Sequence, residues 1–400
     1  EETVNLFSIN GDFSVPLTGL QRRILTYGFE VAYNDVDSNS FGKTLAVSNN
    51  EITGFSDDFL VQSRYPDGGS SYLSSAVYVG YRQDINTKAT LNTGIRYTNT
   101  HLKANWIDQT FITLPDPSIT SGNSAITATL GYVYKPTKNW QINSVLSSGF
   151  RAPNIDDVGR VREKAGNVTI PNIYVAPEFA YSAEFGLQKY FNNRRFRVGG
   201  NVFYTLLDSY IQRDFVYTPD GNNLQVAFDG EFGNAVNNQN KGTAYITGFT
   251  TSYLGKISNQ WNTSGFITYT KGRTYDTKEP LSSIPPLFGQ FEVNYKMSKL
   301  ELGADFRFNS KKNIEDFNFT EGIDNHDLTP IIDANATNDA AKFYGSPSWN
   351  TLGFNGRYTF NDNLSFQARI ANLFDEHYIE FASGVSAPGR NISVSFLATF

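Results

Sequence analysis

The chain has 400 residues, a formal net charge of −6, no Cys and 15% aromatic residues, with 32 Phe, 23 Tyr and 33 Gly. This excludes a disulfide-stapled domain and gives no support to nucleic-acid binding. The mean hydropathy is −0.37, and no run of about eighteen apolar residues exists to form a transmembrane helix. A soluble all-β protein fits these values. So does a transmembrane β-barrel, which places its apolar residues at every second position and so looks polar on average.

Taken in order, one unit recurs: a strand, a short turn, a strand, a longer polar loop. Alternation predicts strands over 4–13 and 22–36, the second with Leu25, Tyr27, Phe29, Val31 and Tyr33 on one face. A loop over 37–69 follows. A hairpin over 71–82 and 88–98 alternates through Leu73, Val77, Val79, Tyr81, Leu91, Ile95 and Tyr97. Beyond Pro115 and Pro117, residues 123–135 form a strand. The turn Pro136-Thr137-Lys138-Asn139 leads into another strand, in which Ile142, Ser144 and Leu146 share a face. A polar loop then runs to Pro177. Strands are expected over 177–190 and over 195–217, the latter as one strand long enough to project beyond a membrane. An Asn- and Gly-rich loop over 218–242 precedes strands over 243–256, 261–271, 287–297 and 299–308. An acidic loop over 309–346 precedes strands over 349–360 and 364–373. The last strand alternates from Asn391 to Phe400. Successive side chains on opposite faces are the signature of strands with one apolar and one polar side.

Short turns and long loops alternate throughout, as periplasmic turns and extracellular loops do in bacterial barrels. Tyr and Phe gather near strand ends, where interfacial girdles are expected. The count is about fifteen strands, although single-chain bacterial barrels close with an even number.

The loop between the sixth and seventh strands begins Phe150-Arg151-Ala152-Pro153 and ends Ile170-Pro171-Asn172-Ile173, then Ala176-Pro177-Glu178. These stretches resemble the "FRAP" and "NPNL…PE" boxes of TonB-dependent outer-membrane receptors, the second with Ile-Pro-Asn-Ile in place of Asn-Pro-Asn-Leu. Further segments resemble the same family: Leu25-Thr26-Tyr27-Gly28-Phe29-Glu30; Ile284-Pro285-Pro286-Leu287-Phe288-Gly289; Asn372-Leu373-Phe374-Asp375-Glu376-His377-Tyr378; Pro388-Gly389-Arg390; and the terminal Phe400, which looks like the signal read by the assembly machinery. The resemblance covers the whole chain and points to the ferric-siderophore and haem receptor group, of the Bacteroidetes type. It implies an all-β transmembrane antiparallel barrel in the bacterial outer membrane, with these strands part of a barrel of about 22. The remaining strands and the plug domain are then expected upstream of Glu1, and residues 1–400 are expected to be the C-terminal part of the barrel.

The implied function is active transport. External loops capture a scarce substrate, expected to be a ferric siderophore or similar iron chelate, and the TonB–ExbB–ExbD complex supplies energy through the plug. Lipid bilayer, lipopolysaccharide and a surface lipoprotein complete the expected partners, with no nucleic acid and no resident cofactor. The alternatives are a haem receptor, a passive porin-like channel, or uptake of cobalamin, a peptide or a glycan. Anionic iron chelates would be held by charge-assisted bonds and stacking, for which Arg151, Arg160, Arg162, Lys164 and Tyr174 are the candidates. Solvated loop charge, or contact with lipopolysaccharide phosphates, is the competing reading of the same residues, and Arg151 at the strand exit suits a structural role. Haem receptors of this group place a His between the two boxes, and this sequence has none there. His101, His326 and His377 are the only imidazoles that could ligate iron. Asp324-Asn325-His326-Asp327, with Asp333 and Asp339, offers oxygen donors suited to Ca²⁺ but matches no defined calcium loop. Glu184, Arg96 and Arg307 are expected to line a polar lumen. No nucleophile motif, phosphate-cradling loop or metal cluster suggests an enzyme, and the Asp375–His377 pair is read as chance proximity.

Overall fold

The computed structural model describes residues 1–19, 22–114, 116–164 and 166–399. Fifteen strands form one antiparallel sheet in which sequence neighbours are sheet neighbours. They are Glu2–Leu17, Arg23–Ser38, Ser70–Asn86, Ala89–Asn105, Ser118–Tyr134, Trp140–Arg151, Glu178–Phe191, Phe196–Asp208, Thr243–Lys256, Trp261–Thr274, Phe288–Met297, Leu300–Asn309, Trp349–Asn361, Leu364–Ala371 and Asn391–Ala398. The first and last are the two edges of the sheet. Neither has a second neighbour, and both are exposed along nearly their whole length. The expected up-and-down connectivity and strand number are therefore met.

The register carries one apolar face across the sheet. Phe29 pairs with Val77, Val77 with Tyr97, and Tyr97 with Ile126. Further along, Phe185 pairs with Val202, Val202 with Phe249, and Phe249 with Tyr269. The row ends with Phe354, Ile370 and Ile392. Many of these side chains are left exposed, Val77 at 57% and Ile126 at 65%. That is the expected condition of a wall whose apolar side faces lipid. The opposite face carries Glu30 bound to Arg96 at 3.0 Å and Asp305 bound to Arg369 at 3.6 Å. Arg96 and Arg307 are on this face as expected, and so is Glu184, which lies across from Val145 and Phe203.

Three of the sequence expectations change. Residues 195–217 are two strands rather than one. The wall strand ends at Asp208, Ser209 takes a left-handed φ of 55°, and Ile211–Phe215 joins a separate sheet. The predicted loop 37–69 contains a hairpin, Phe41–Ser48 with Glu51–Leu60. Its turn is Asn49-Asn50 with φ of 53° and 62°, the paired positive values that a two-residue hairpin turn needs. Phe41, Leu45, Val47, Ile52, Phe55 and Leu60 are all exposed on it. The loop 218–242 is likewise not irregular, since Gln225–Phe228 and Glu231–Asn240 are strands within it. Pro115 and Phe400 lie outside the described residues.

Candidate functional site: the loop cap

The buried apolar clusters lie at the long-loop end of the sheet. Leu102, Ala104 and Ile119 at the upper ends of two wall strands pack with Val158, Val175 and Ile211 from loops. A second cluster joins Trp106, Ile112, Leu114, Val161 and Val168. A third, Ile314, Phe317 and Phe343 with Phe381, belongs to the loops 310–348 and 372–390. Burying these side chains away from water gives the loops folded cores of their own, so they form a cap rather than a fringe.

The two boxes of the central loop meet at its base. Asn154 caps the short helix Ile155–Val158 and forms a reciprocal capping box with Asp157. Arg151 binds the buried Asp157 and lies 3.9 Å from Glu178, which itself accepts the Ile211 backbone N–H at 2.8 Å. Pro153 is fully buried beside them. The arginine therefore pins the loop's exit strand, helix and return strand together. It stands on the inward face of the wall and is still about half exposed, so it remains within reach of the vestibule.

Asp156, next to it, gathers three donors: Arg64 at 3.0 Å, Tyr65 Oη at 2.9 Å and Arg160 at 3.1 Å. Burial works against its ionisation, yet the Tyr65 hydrogen bond, Arg160 and Arg64 together hold its carboxyl below the ordinary carboxylate range. Burial, reinforced by the bond to Asp156, pushes the Tyr65 phenol up to about 12. Arg160 is buried at 8% exposure. It is a structural cation in this arrangement. Arg162 and Lys164 lie on an exposed strand, and Tyr174 is 82% exposed. These three face solvent, and the structure does not bring them together with Arg151 in one pocket.

An Asn-rich strand fastens the central loop to its neighbour. Asn240 accepts from the Ala176 N–H at 2.7 Å and donates back to the Ala176 carbonyl at 2.9 Å. Asn172 donates to the Asn238 carbonyl, and Asn238 donates to the Asp157 carbonyl. The Asn run in Glu231–Asn240 thus satisfies main-chain groups that a loop would otherwise leave unpaired.

On the far side, Lys312 and Asp324 form a buried pair at 3.3 Å, with side chains 4% and 2% exposed. Lys312 also donates to the Ile284 carbonyl at 2.7 Å and sits over the rings of Phe317 and Phe381. Asp324 accepts the Ser283 N–H at 2.9 Å. The Ile284-Pro285-Pro286 segment is thereby locked to the acidic loop. Burial pulls the Lys312 amine below its usual value, and Asp324 offsets only part of that. Burial raises the Glu321 carboxyl, and its oxygen lies 3.4 Å from the Arg213 N–H. Gly345, with φ of 85°, lets this loop close, because a Cβ there would stand 2.2 Å from the Lys312 carbonyl.

The last loop is zipped by its two motifs. Asn372, at φ of 50°, exchanges hydrogen bonds with the Glu376 backbone. Asp375 accepts the Arg390 N–H at 2.6 Å, and Arg390 Nε donates to the Leu373 carbonyl at 2.9 Å. Asp375 is therefore bound to Arg390 and not to His377, whose Nε2 meets Ser386 Oγ at 3.0 Å. No catalytic dyad forms.

The three histidines part company. His101 lies within a wall strand on the outward face, in register with Leu73 and Gly122, and not in a loop. His326 is 6% exposed, bonded to Asp339 at 2.8 Å and ringed by Phe317, Phe319 and Phe343. It is core material, closed to an iron ligand. His377 is exposed and lines a cavity of about 240 Å³ with Trp349, Tyr378, Leu328 and Pro330. Trp349 is the wall of this cavity. The Tyr378 ring packs against it, tilted by 33° with centroids 4.3 Å apart, and Arg307, itself paired with Glu380 at 3.1 Å, lies over the Trp349 ring at 5.8 Å. Asp324 and Asp339 are spoken for by Lys312 and His326, and among the described residues no cluster could hold a metal ion. Trp349 and Tyr378 were not among the sequence candidates. Their only prior signal was a Trp at the head of a strand and a Tyr beside the last motif.

Comparison with known proteins accounts for this plan. The family described as "TonB dependent receptor-like, beta-barrel" matches residues 2–373. "Hemoglobin-binding protein A" of Haemophilus influenzae is 26% identical over 265 residues, which cover 63% of this chain and 24% of that protein. The chain thus spans about a quarter of that relative's length. Two solved structures share the fold along the full chain: a copper transporter, OprC (TM-score 0.74, 16% identity, 57% of that chain), and a siderophore receptor from Acinetobacter baumannii (TM-score 0.73, 16% identity, 55% of that chain). These are receptors and transporters, not enzymes, and the barrels of this family are outer-membrane proteins. The unbroken lipid-type face, the strict alternation of turns and loops, and the paired boxes at the base of the cap are what this kinship explains, and the chain belongs to the TonB-dependent receptor β-barrel family.

Proposed function

We propose that this chain forms the ligand-capturing part of an outer-membrane transporter that imports an iron chelate with energy from TonB, ExbB and ExbD. A plug and further strands would complete the barrel. The observation that carries the reading is the cap: five of the long loops fold over the inward face of the wall with buried cores, leaving an aromatic cavity between Trp349, Tyr378 and His377. A passive porin needs no such ordered roof.

Within that reading the ligand is either a ferric siderophore or haem. The seven long loops carry 25 carboxylates against 12 Lys and Arg. Such a field repels a free anionic siderophore at long range. Haem delivered by a carrier protein fits better, because the carrier's own surface governs the approach. The exposed His377 beside two stacking rings, and the relative named for haemoglobin, favour that second ligand. A surface lipoprotein could present the carrier.

The test is growth of a receptor-deletion strain carrying the native-length gene, with haemoglobin or a ferric catecholate as sole iron source. Growth abolished by a protonophore or by loss of TonB supports energised import; growth indifferent to both contradicts it. His377→Ala is expected to reduce haemoglobin-dependent growth several-fold and leave catecholate-dependent growth unchanged. The reverse pattern would assign the site to the siderophore.

A further inference from the structure

On the outward face, the strand Trp261–Thr274 changes character as it climbs toward the long loops. Its outward positions read Ile267, Tyr269, Lys271 and Arg273. Register fixes the face: Tyr269 pairs with Phe249, Lys271 with Thr247 and Arg273 with Tyr245. Aliphatic, then tyrosine, then cation is the order in which a lipid-facing strand leaves hydrocarbon and enters the headgroup layer. The two strands before it carry no cation at that level, only Thr247 and Tyr245, then Tyr204 and Leu206. The wall is also notched there. The next strand begins at Phe288, opposite Thr268, and the ladder resumes only where Leu281 and Glu279 bond back to Gly272 and Thr274. Between these lies a cavity of about 220 Å³, lined by Tyr269, Lys271, Arg273, Pro286, Lys311 and Asp316. Ile284 closes it from within, since Gly272 is an inward position and a Cβ there would stand 2.9 Å from Ile284. The opening is therefore on the lipid side. Asp316 is bound to Arg273, which also donates to the Lys278 carbonyl at 2.7 Å. Lys271 and Lys311 are exposed, and among the described residues neither pairs with a carboxylate. Lys311 lies over the Tyr344 ring at 3.6 Å.

We propose that this notch holds a phosphate group of the lipopolysaccharide that forms the outer leaflet. The proposal rests on the long loops being external, and not on which ligand the cap takes. Two cations remain uncompensated after Asp316 has met Arg273, and a cavity with room for about seven waters at liquid density accommodates a phosphate but no iron chelate. An anion that meets the outward face at this depth belongs to a lipid headgroup. Lys271 and Lys311 supply the charge, Arg273 stays fixed by its own partners, and Tyr269, 38% exposed, packs beside the first acyl carbons below. A free phosphate ion shares the charge but has no apolar part for that ring. The cap cations Arg162 and Lys164, the sequence candidates for such contact, lie on a loop strand outside the wall sheet.

The experiment uses the native-length protein purified in a neutral detergent and probed with diphosphorylated lipid A, the same lipid after phosphatase treatment, and inorganic phosphate. Native mass spectrometry counts retained lipid. Wild type is expected to retain the phosphorylated lipid over the dephosphorylated one, each free cation contributing about fivefold, with little competition from phosphate. The variant K271Q/K311Q is expected to lose that preference. Lys189→Gln, on the same outward face but at the short-turn end beside Trp140, is expected to keep it. Equal retention of the two lipids, an unchanged preference in the double variant, or competition by phosphate as effective as that of the lipid would each overturn the proposal. If the double variant does not assemble, as judged by heat-modifiable mobility, Lys271→Gln alone must lose about fivefold and Lys271→Arg must retain the preference. The chain has no Cys, so Thr277→Cys, in the exposed loop above the notch, separates a wrong side from a wrong site. An impermeant maleimide on intact cells is expected to label it, and absence of labelling would remove the external placement itself.

Discussion

The wall and the cap are built on opposite rules. In the wall the large apolar residues are the exposed ones and the polar residues face inward, where Glu30 binds Arg96. In the cap, apolar residues such as Ile119, Val158 and Phe317 are almost fully buried, and charges are enclosed in specific pairs. The wall needs only alternation and register, because lipid accepts any apolar side chain. The cap needs particular partners, because a buried charge or amide without one is costly. A change of polarity should therefore damage the wall, and a change of partner should damage the cap.

The sharpest break of this contrast is Asp324→Asn. It leaves the buried Lys312 ammonium without its counter-ion, a loss of about 3–5 kcal/mol for a buried pair, confined to the loops 275–287, 310–348 and 372–390. Limited proteolysis should cut those loops while the sheet keeps its heat-modifiable mobility. Cleavage resistance equal to wild type would mean that the pair does not hold the cap. Next is Ile95→Lys on the outward face, expected to cost about 2–4 kcal/mol near the bilayer midplane, read as a lower urea midpoint in liposomes. Thr129→Lys, on the inward face, should move that midpoint little. Equal effects would erase the distinction between the faces. Arg151→Ala should loosen the base of the central loop by about 1–2 kcal/mol, since the arginine is half exposed but its partner Asp157 is buried. Faster amide exchange in residues 152–177 would register it.

The smallest effect is a pH dependence with a definite sign. Asp156 is held below the ordinary carboxylate range in the folded cap. Its contribution is fully present above that range and is lost as pH falls through its depressed value. Glu321 has the opposite shift. Its burial is tolerated best when protonated, so its penalty grows as pH rises from the ordinary carboxylate value through the raised one. Asp156→Asn should flatten the acid limb of cap melting, and an unchanged acid limb would refute the assignment.

The same contrast explains what could be read from the sequence. Wall strands announce themselves by a period of two, and the fifteen expected strands correspond to the fifteen found. The motifs were visible too, but what they do was not. Arg151, Asp375 and Arg390 were visible as family signatures, and only the folded chain reveals that they tie loop bases together. Lys312 and Asp324 are twelve residues apart in an acidic stretch and carry no signal of being buried against each other. The strand break at Ser209 was missed although a signal was present: the apolar positions change parity there, from Val202, Tyr204 and Leu206 to Ile211 and Phe215. His326 was read as an imidazole that could ligate iron, since no local pattern discloses that the rings of Phe317, Phe319 and Phe343 gather around it.

The measurement that bears most directly on the distinction between wall and cap is amide hydrogen exchange of the native-length protein in a lipid nanodisc. The account predicts that residues 152–177 and 310–348, around Val158 and Phe317, exchange far more slowly than the exposed hairpin Phe41–Ser48 and Glu51–Leu60, and approach the protection of the wall strands. Exchange as fast as in that hairpin would show that the cap has no cores of its own and would contradict the account.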